Sequence, residues 1–109
     1  MSEIDQLISK AKEKLNKALS IYEEYIMLVI EIMKKISEEI RKCGYTAKPY
    51  MSSTLGGSNV ICVLVDNEIN ECLERILEKY GNLIDILVYI EVVRDMDECM
   101  ITPSHVEVQ

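Results

Sequence analysis

The sequence predicts an α+β fold: one long amphipathic helix followed by a ββαββ unit with a mainly antiparallel sheet. Three patterns lead to this fold class. A heptad of apolar residues runs through residues 3–42, a glycine-rich turn precedes an apolar run at 59–65, and a helical pattern at 67–80 precedes an alternating one at 84–93. With 109 residues, the chain is expected to form one domain.

The first element is predicted to be a dimerisation helix, with residues 1–44 as its segment. Its apolar seam follows alternating spacings of four and three, at Ile4, Ile8, Ala11, Leu15, Ala18, Tyr22, Tyr25, Val29, Ile32 and Ile36. Ser2 and Asp5 resemble a capping box, and Gly44 suits the left-handed position after the last turn. Such a helix spans about 60 Å, whereas a compact domain of this size has a radius of gyration near 13 Å.

A seam of this length exceeds what one small domain covers, so the sequence predicts a homodimer. The expected interface consists of Ile4, Ile8, Ala11, Leu15, Ala18, Tyr22, Tyr25 and Val29. Up to Ala18 the seam is narrow, and four lysines flank it: Lys10, Lys12, Lys14 and Lys17. From Leu19 to Ile40 additional apolar residues widen the stripe, which indicates contact with both the chain's own sheet and a second helix. Antiparallel pairing is preferred because it separates the lysine-rich halves.

Residues 45–109 are predicted to form the sheet unit, with four strands and one helix. The expected elements are a polar edge strand at 46–53, a hairpin turn at Leu55–Ser58, a central strand at 59–65, a helix at 67–80 capped by Asp66 or Asn67, a strand at 84–93, a polar turn at 95–98 and a last strand at 99–108. The central strand lacks alternation, which is typical of burial on both faces. We therefore expect the two helices on opposite faces of the sheet.

Composition and charge restrict the function classes. The 49% hydrophobic and 28% charged residues are typical of a soluble globular chain. The apolar run at 25–30 is far shorter than a membrane span, and no signal-peptide pattern is visible, so a cytoplasmic protein without membrane contact is expected. The net charge of −7 lies entirely in residues 45–109, which makes that half a poor nucleic-acid surface.

The four cysteines form no CxxC pair. They are interpreted mainly as buried, reduced thiols. A disulfide between Cys43 and Cys99, which lie at element ends, is left open, since reducing cytosol disfavours one unless the source is a hyperthermophile. Only two Gln, with abundant Ile, Glu and Lys, are weakly typical of a thermophile.

No motif predicts a catalytic residue, a cofactor or a metal. The glycines at 56 and 57 match no phosphate-binding loop. The acidic group Asp95, Asp97 and Glu98 lacks the pattern of a calcium loop. His105, the only histidine, has no identifiable nucleophile or carboxylate partner. The sequence therefore favours a protein that is not an enzyme.

Three functional hypotheses remain. The preferred one is a non-enzymatic, homodimeric interaction or regulatory module whose acidic half meets a basic protein. The expected partner contacts are Lys48, Tyr50, Glu71, Glu74 and Glu78. One alternative is a nucleic-acid-associated protein that uses the lysine cluster at 10–17. The other is a small-ligand site at the dimer interface, lined by Tyr and Cys.

Overall fold

The structure, a computed structural model, describes residues 3–54 and 56–109. Ser2, a predicted capping residue, and Leu55, the first residue of the predicted hairpin turn, lie outside these ranges. The described elements, in chain order, are α1 (Glu3–Lys42), β1 (Thr46–Ser52), β2 (Asn59–Leu64), α2 (Glu71–Tyr80), β3 (Asn82–Leu83), β4 (Val88–Val93) and β5 (His105–Glu107). The predicted α+β class is confirmed.

The sheet contains five strands in the order β3-β4-β2-β1-β5. It is mostly antiparallel, but β2 and β4 pair in parallel. A parallel pair needs a crossover, and α2 provides it. The prediction of four strands is wrong, because the pair Asn82–Leu83 adds a short strand beside β4. The prediction that β1 forms an edge is also wrong, since β5 pairs with its second half.

Both helices pack on one face of the sheet, contrary to the expectation of opposite faces. One core cluster contains Val29, Met33, Ile36 and Ile40 of α1 together with Leu73 and Ile76 of α2, packed on Ala47, Ile61, Val63 and Val88 of the sheet. The connection from β2 to β4 places α2 on that face, next to α1. The C-terminal part of α1 and the short helix α2 lie side by side and cover this face, and a different segment covers the other face.

The second face is covered by the chain between β4 and β5. Val60, Cys62 and Val93 on the sheet pack with Cys99, and Met96 and Ile101 lie against this cluster. The carboxylate of Glu91 accepts a hydrogen bond from the Met100 amide at 3.1 Å, which holds the segment in place. Burial on both faces therefore explains the unbroken apolar run of β2, as predicted.

The junctions of α1 and α2 show why these elements end where they do. Gly44 has φ 100°, as predicted for the residue that ends α1. The Arg41 guanidinium donates to the Ala47 carbonyl at 2.7 Å and ties the end of α1 to β1. Helix α2 begins four residues later than predicted, because the side chain of Asn70, and not that of Asp66 or Asn67, caps it by accepting from the Leu73 amide at 2.9 Å.

The last third of the chain is less regular than predicted. Residues 84–86 form a 3₁₀ turn, and the strand predicted over 84–93 begins only at Val88. Leu87 separates the two with φ 52°, a left-handed conformation that no strand can contain. A second 3₁₀ turn at Met96–Glu98 occupies the predicted polar turn. The final strand shrinks from 99–108 to His105–Glu107.

Candidate functional site

The first part of α1 projects from the sheet as an exposed arm. We define the arm as residues 3–28, in which no side chain is fully buried. The body is defined as residues 29–54 and 56–109. The molecule measures 69 × 25 × 22 Å, and its radius of gyration is 18.6 Å, well above the value of about 13 Å for a compact chain of this length. The arm accounts for this elongation.

The arm carries large apolar side chains that nothing in the described chain covers. Ile4 is 68% exposed, Leu15 is 59% exposed and Ile21 is 68% exposed. The others exposed on the arm are Leu7, Ile8, Leu19, Tyr25, Met27 and Leu28. Single exposed apolar residues are ordinary, but a stripe that repeats over seven helical turns is a candidate interaction surface.

The predicted interface residues divide into two groups. Seven of them belong to the arm: Ile4, Ile8, Ala11, Leu15, Ala18, Tyr22 and Tyr25. The eighth, Val29, is only 1% exposed and lies in the chain's own core. Because its surface is already used, we leave Val29 out of the candidate surface.

The exposed stripe also contains residues outside the predicted seam. Ile21 and Leu28 were expected to widen the stripe for contact with both the chain's own sheet and a second helix, and both are exposed. Leu7 was not singled out, although it is 59% exposed. All three sit one position before a seam residue, and this regular offset was the available signal. The candidate surface is therefore the seam together with this flank.

The other flank of the helix is occupied by the body at the junction. Tyr22, Ile26 and Ile30 line a groove with Met51 of β1 and Val106 of β5. The Tyr25 hydroxyl donates a hydrogen bond of 3.3 Å to the Ile86 carbonyl. A helix that packed against the arm from outside would therefore approach on the side of Ile21 and Leu28.

The predicted lysine cluster is exposed on the arm. Lys10, Lys12, Lys14 and Lys17 are all exposed. One of them, Lys17, forms a weak pair with Glu13, with 4.0 Å between Nζ and Oε1. Exposed pairs of this kind contribute roughly 0.3–0.5 kcal/mol. The cluster thus keeps its positive charge available to a second molecule.

The predicted partner contacts on the body are separated by the sheet. Glu71, Glu74 and Glu78 lie exposed on α2, which packs on the first face. Lys48 and Tyr50 lie opposite Cys62 and Val60 across the strand pair, so they belong to the second face. Lys48 is exposed, whereas Tyr50 is half-buried against the second cluster. These five residues therefore cannot form one contact patch.

The cysteines are paired, and the interpretation of reduced thiols is wrong. Cys43 bonds to Cys72, and Cys62 bonds to Cys99, with Cα separations of 5.6 and 6.1 Å. The bond between Cys43 and Cys99 that the sequence left open is not formed. Sequence spacing could not predict the pairing, because the fold brings each pair together from elements that are 29 and 37 residues apart.

His105 has a structural role in the turn before β5. Its Nε2 lies 2.8 Å from the Ser58 carbonyl. A carbonyl can only accept, so Nε2 carries the ring proton, and Nδ1 accepts a hydrogen bond from the Thr102 backbone amide at 3.0 Å. The Thr102 hydroxyl is also 2.9 Å from Nδ1. A hydroxyl beside an imidazole can suggest a nucleophile and base. Here, however, backbone groups bind both ring nitrogens, so the ring fastens β5 to the hairpin of β1 and β2.

The acidic turn at 95–98 is explained by local hydrogen bonding. The Asp95 carboxylate accepts from the Asp97 amide at 3.1 Å and caps the 3₁₀ turn. Within residues 3–54 and 56–109, no three His, Cys, Asp or Glu side chains come together as a group that could hold a metal ion. A hydrogen bond with Tyr80 raises the pKa of Lys79 above its ordinary value.

The exposed arm is the best-defined candidate site in the described part of the chain. No helix in the described part of the chain is both long enough and apolar enough to cross a membrane. No family model, no curated protein and no solved structure matches this chain.

Proposed function

We propose that this protein is a non-enzymatic, homodimeric interaction module in which the arm of one chain pairs with the arm of a second copy. The observation that carries the proposal is the uncovered apolar stripe from Ile4 to Leu28. The arm is part of a helix of 40 residues whose heptad does not change where the body ends. Such an exposed heptad is stabilised by packing against another helix.

A second copy is the occupant that the surface fits best. A heptad seam with branched aliphatic residues is complementary to another seam of the same period. Covering about eight large apolar side chains on each arm would remove on the order of 1,000 Å² of surface in total. That area is at the lower bound for a specific interface, so a dimer with a measurable dissociation constant is expected.

The test compares two variants that add the same charge one residue apart. Leu15→Glu places a carboxylate in the seam, and Asn16→Glu places it beside the seam. Both positions are exposed, so neither change disturbs the core. We expect the wild type and Asn16→Glu to be dimers in sedimentation or light scattering at micromolar concentration, and Leu15→Glu to dissociate at least tenfold more readily.

Two results would overturn the proposal. One is a wild-type chain that remains a monomer at concentrations up to about a millimolar, the weak limit of useful association. The other is an equal effect of the two substitutions, which would mean that the seam is not the contact. Circular dichroism of each variant checks that the body stays folded.

The acidic body is proposed as the surface that meets a basic protein. The supporting observation is that Glu71, Glu74 and Glu78 are exposed along one face of α2 with a single cation, Arg75, among them. Polylysine serves as the probe. We expect its binding to weaken as salt rises and to weaken further in the triple Gln variant. Polylysine binding that is unaffected by salt and by the triple Gln substitution would contradict this part of the proposal.

The two disulfides restrict the cellular compartments in which this protein can reside. Disulfides persist in oxidising compartments and in the cytoplasm of hyperthermophiles. A cytoplasmic location is therefore proposed together with a thermophilic source. Alkylation of the protein in the cytoplasmic fraction of native cells tests it: the protein is expected in that fraction with four protected cysteines. Its absence from the fraction would contradict the location, and four free thiols would contradict the pairing.

A further inference from the structure

We propose that the two arms pair antiparallel in one particular register, with Leu15 of each chain opposite Ala18 of the other. This inference rests on the proposed pairing of arms and adds its geometry. It specifies which residues of the second copy each part of the stripe contacts. The register follows from the length of the exposed stripe, from the sizes of the seam residues and from the charges beside them.

The length of the stripe selects the register among those that the heptad allows. Pairing Leu15 with Ala18 brings Ile4 of one chain level with Val29 of the other, where the exposed stripe ends. Moving one heptad further would bring Ile4 level with Ile36, which is only 4% exposed because the body covers it. Moving one heptad back would leave Tyr25 and Leu28 without a facing residue among the described residues 3–28. Among these three registers, the intermediate one is therefore the one in which described arm residues cover the whole stripe.

The sizes of the seam residues favour the same arrangement. In this register Ala11 faces Tyr22, Ala18 faces Leu15 and Ile8 faces Tyr25. Each alanine therefore meets a large side chain, and the layers fill evenly. A parallel pair would instead place Ala11 on Ala11 and Ala18 on Ala18, with two layers of facing tyrosines beside them. The alanine layers would leave voids, and the tyrosine layers would be crowded.

The charges beside the seam are also complementary. Lys10 comes within one residue of the level of Glu24 of the second chain, and Lys12 comes within two residues of the level of Glu23. All four residues are exposed. A parallel pair would set the lysine cluster of each arm against its own copy. Like charges at this spacing destabilise a pair by roughly the amount that opposite charges stabilise it.

The free flank of the helix completes the contact near the body. Because the body occupies the flank of Ile26 and Ile30, the second arm must lie toward Leu28. The register brings Leu7 of that arm to Leu28. Both leucines are 59% exposed, and each would cover the other next to the partner's body.

The register is tested by zero-length carbodiimide coupling, which joins an amine to a carboxylate only when they are in contact. Within one chain Lys10 and Glu24 are separated by 14 helical residues, or about 21 Å, so a link between them must join two chains. We expect Lys10–Glu24 links in the dimer, identified by mass spectrometry of mixed ¹⁴N and ¹⁵N chains. Glu24→Gln should abolish them, and the matched control Glu31→Gln should leave them unchanged.

The outcomes separate the register from the pairing itself. A dimer in light scattering that yields the Lys10–Glu24 link supports both. A dimer that lacks this link, or whose mixed-isotope links join Lys14 to Glu13, overturns the register and leaves the pairing of arms standing. A monomer under the same conditions overturns the proposed function, and with it the register.

Discussion

Two methionines on α1 show how differently one residue type can be used. Met33 is 0% exposed in the core, whereas Met27 is 70% exposed on the arm. Both belong to the same helix, but at about 100° per residue they lie about 120° apart around its axis. Their difference arises from which side of the helix faces the sheet.

The first prediction compares these two positions. Met33→Ala should lower the free energy of unfolding by about 2–5 kcal/mol, because it removes buried methylenes and leaves a cavity. Met27→Ala should change it by less than about 0.5 kcal/mol. Urea denaturation, monitored by circular dichroism, measures both. Equal losses would show that Met27 is covered in solution.

A second prediction concerns Ser37, whose side chain is fully buried on α1. Its hydroxyl has no hydrogen-bond partner among the described residues. A buried hydroxyl without a partner costs about 1–3 kcal/mol. We therefore expect Ser37→Ala to raise the free energy of unfolding by at least about 1 kcal/mol more than Ser20→Ala. Ser20 is exposed on the same helix, so it controls for helix propensity.

Should Ser37→Ala be neutral or destabilising relative to Ser20→Ala, then the Ser37 hydroxyl is satisfied in solution. The measurement is again the shift of the denaturation midpoint at constant slope.

At the level of elements, side-chain tethers decide where α2 sits. The side chain of Asn70 caps α2, and the Nδ2 of the same side chain donates a hydrogen bond to the Cys43 carbonyl at 3.2 Å. The backbone N–H of Asn70 donates a hydrogen bond to the Tyr45 hydroxyl at 2.9 Å. One asparagine therefore joins the start of α2 to the end of α1, beside the disulfide that does the same.

The third prediction tests that tether. Asn70→Ala should destabilise the protein by about 1–2 kcal/mol, since it removes the cap and the link to α1. Asn67→Ala, in the exposed bend before α2, should have little effect. Thermal unfolding of the two variants compares them, and similar shifts would mean that the cap contributes nothing.

The two disulfides differ in their access to solvent. Cys72 is exposed and Cys43 is half-buried, whereas Cys62 is 0% exposed and Cys99 is 7% exposed. The first bond joins the two helices at the surface. The second fastens the segment after β4 onto the inner strand β2.

The fourth prediction follows from this difference. With a limiting amount of dithiothreitol, the bond between Cys43 and Cys72 should open first, because a thiolate must reach a sulfur to attack it. Alkylation followed by peptide mass spectrometry reports which pair has opened. Loss of either bond should cost about 3–4 kcal/mol in the chain-entropy account of loops of this length. Simultaneous opening would indicate that reduction requires global unfolding.

At the level of the whole molecule, the arm and the body obtain their stability from different sources. The body has its own core on both faces of the sheet. The arm has none, and most of the stability of a helix in a protein comes from packing of its apolar face. Pairing of arms would therefore make the arm's helical order depend on protein concentration.

The fifth prediction measures this dependence. Dilution from about 100 to 1 μM should reduce the helical signal of the wild type, and its Tm should fall, because dissociation removes the stabilisation by a partner. A variant without residues 1–18 should keep the sheet and show a Tm independent of concentration. A wild-type Tm that is also independent of concentration would count against pairing of the arms.

The patterns that depend on neighbouring residues were predicted well. The bounds of α1, the glycine that ends it and the doubly buried strand β2 are all read from local periodicity. The start of α2 was missed because Asn70 and not Asp66 or Asn67 provides the cap, and competing caps in one segment cannot be ranked by type alone. The strand proposed to begin at 84 was missed because Leu87 adopts a left-handed backbone that leucine seldom shows.

The sequence by itself determined that a long amphipathic helix exists and that its stripe exceeds one domain, because helical periodicity is a local property of the chain. It also determined the α+β class. Only the tertiary structure decided which part of the stripe is free, which cysteines meet and which face of the sheet each helix covers. These depend on residues far apart in the chain, because the order of the five strands decides which of them lie beneath α1, where full burial begins at Val29.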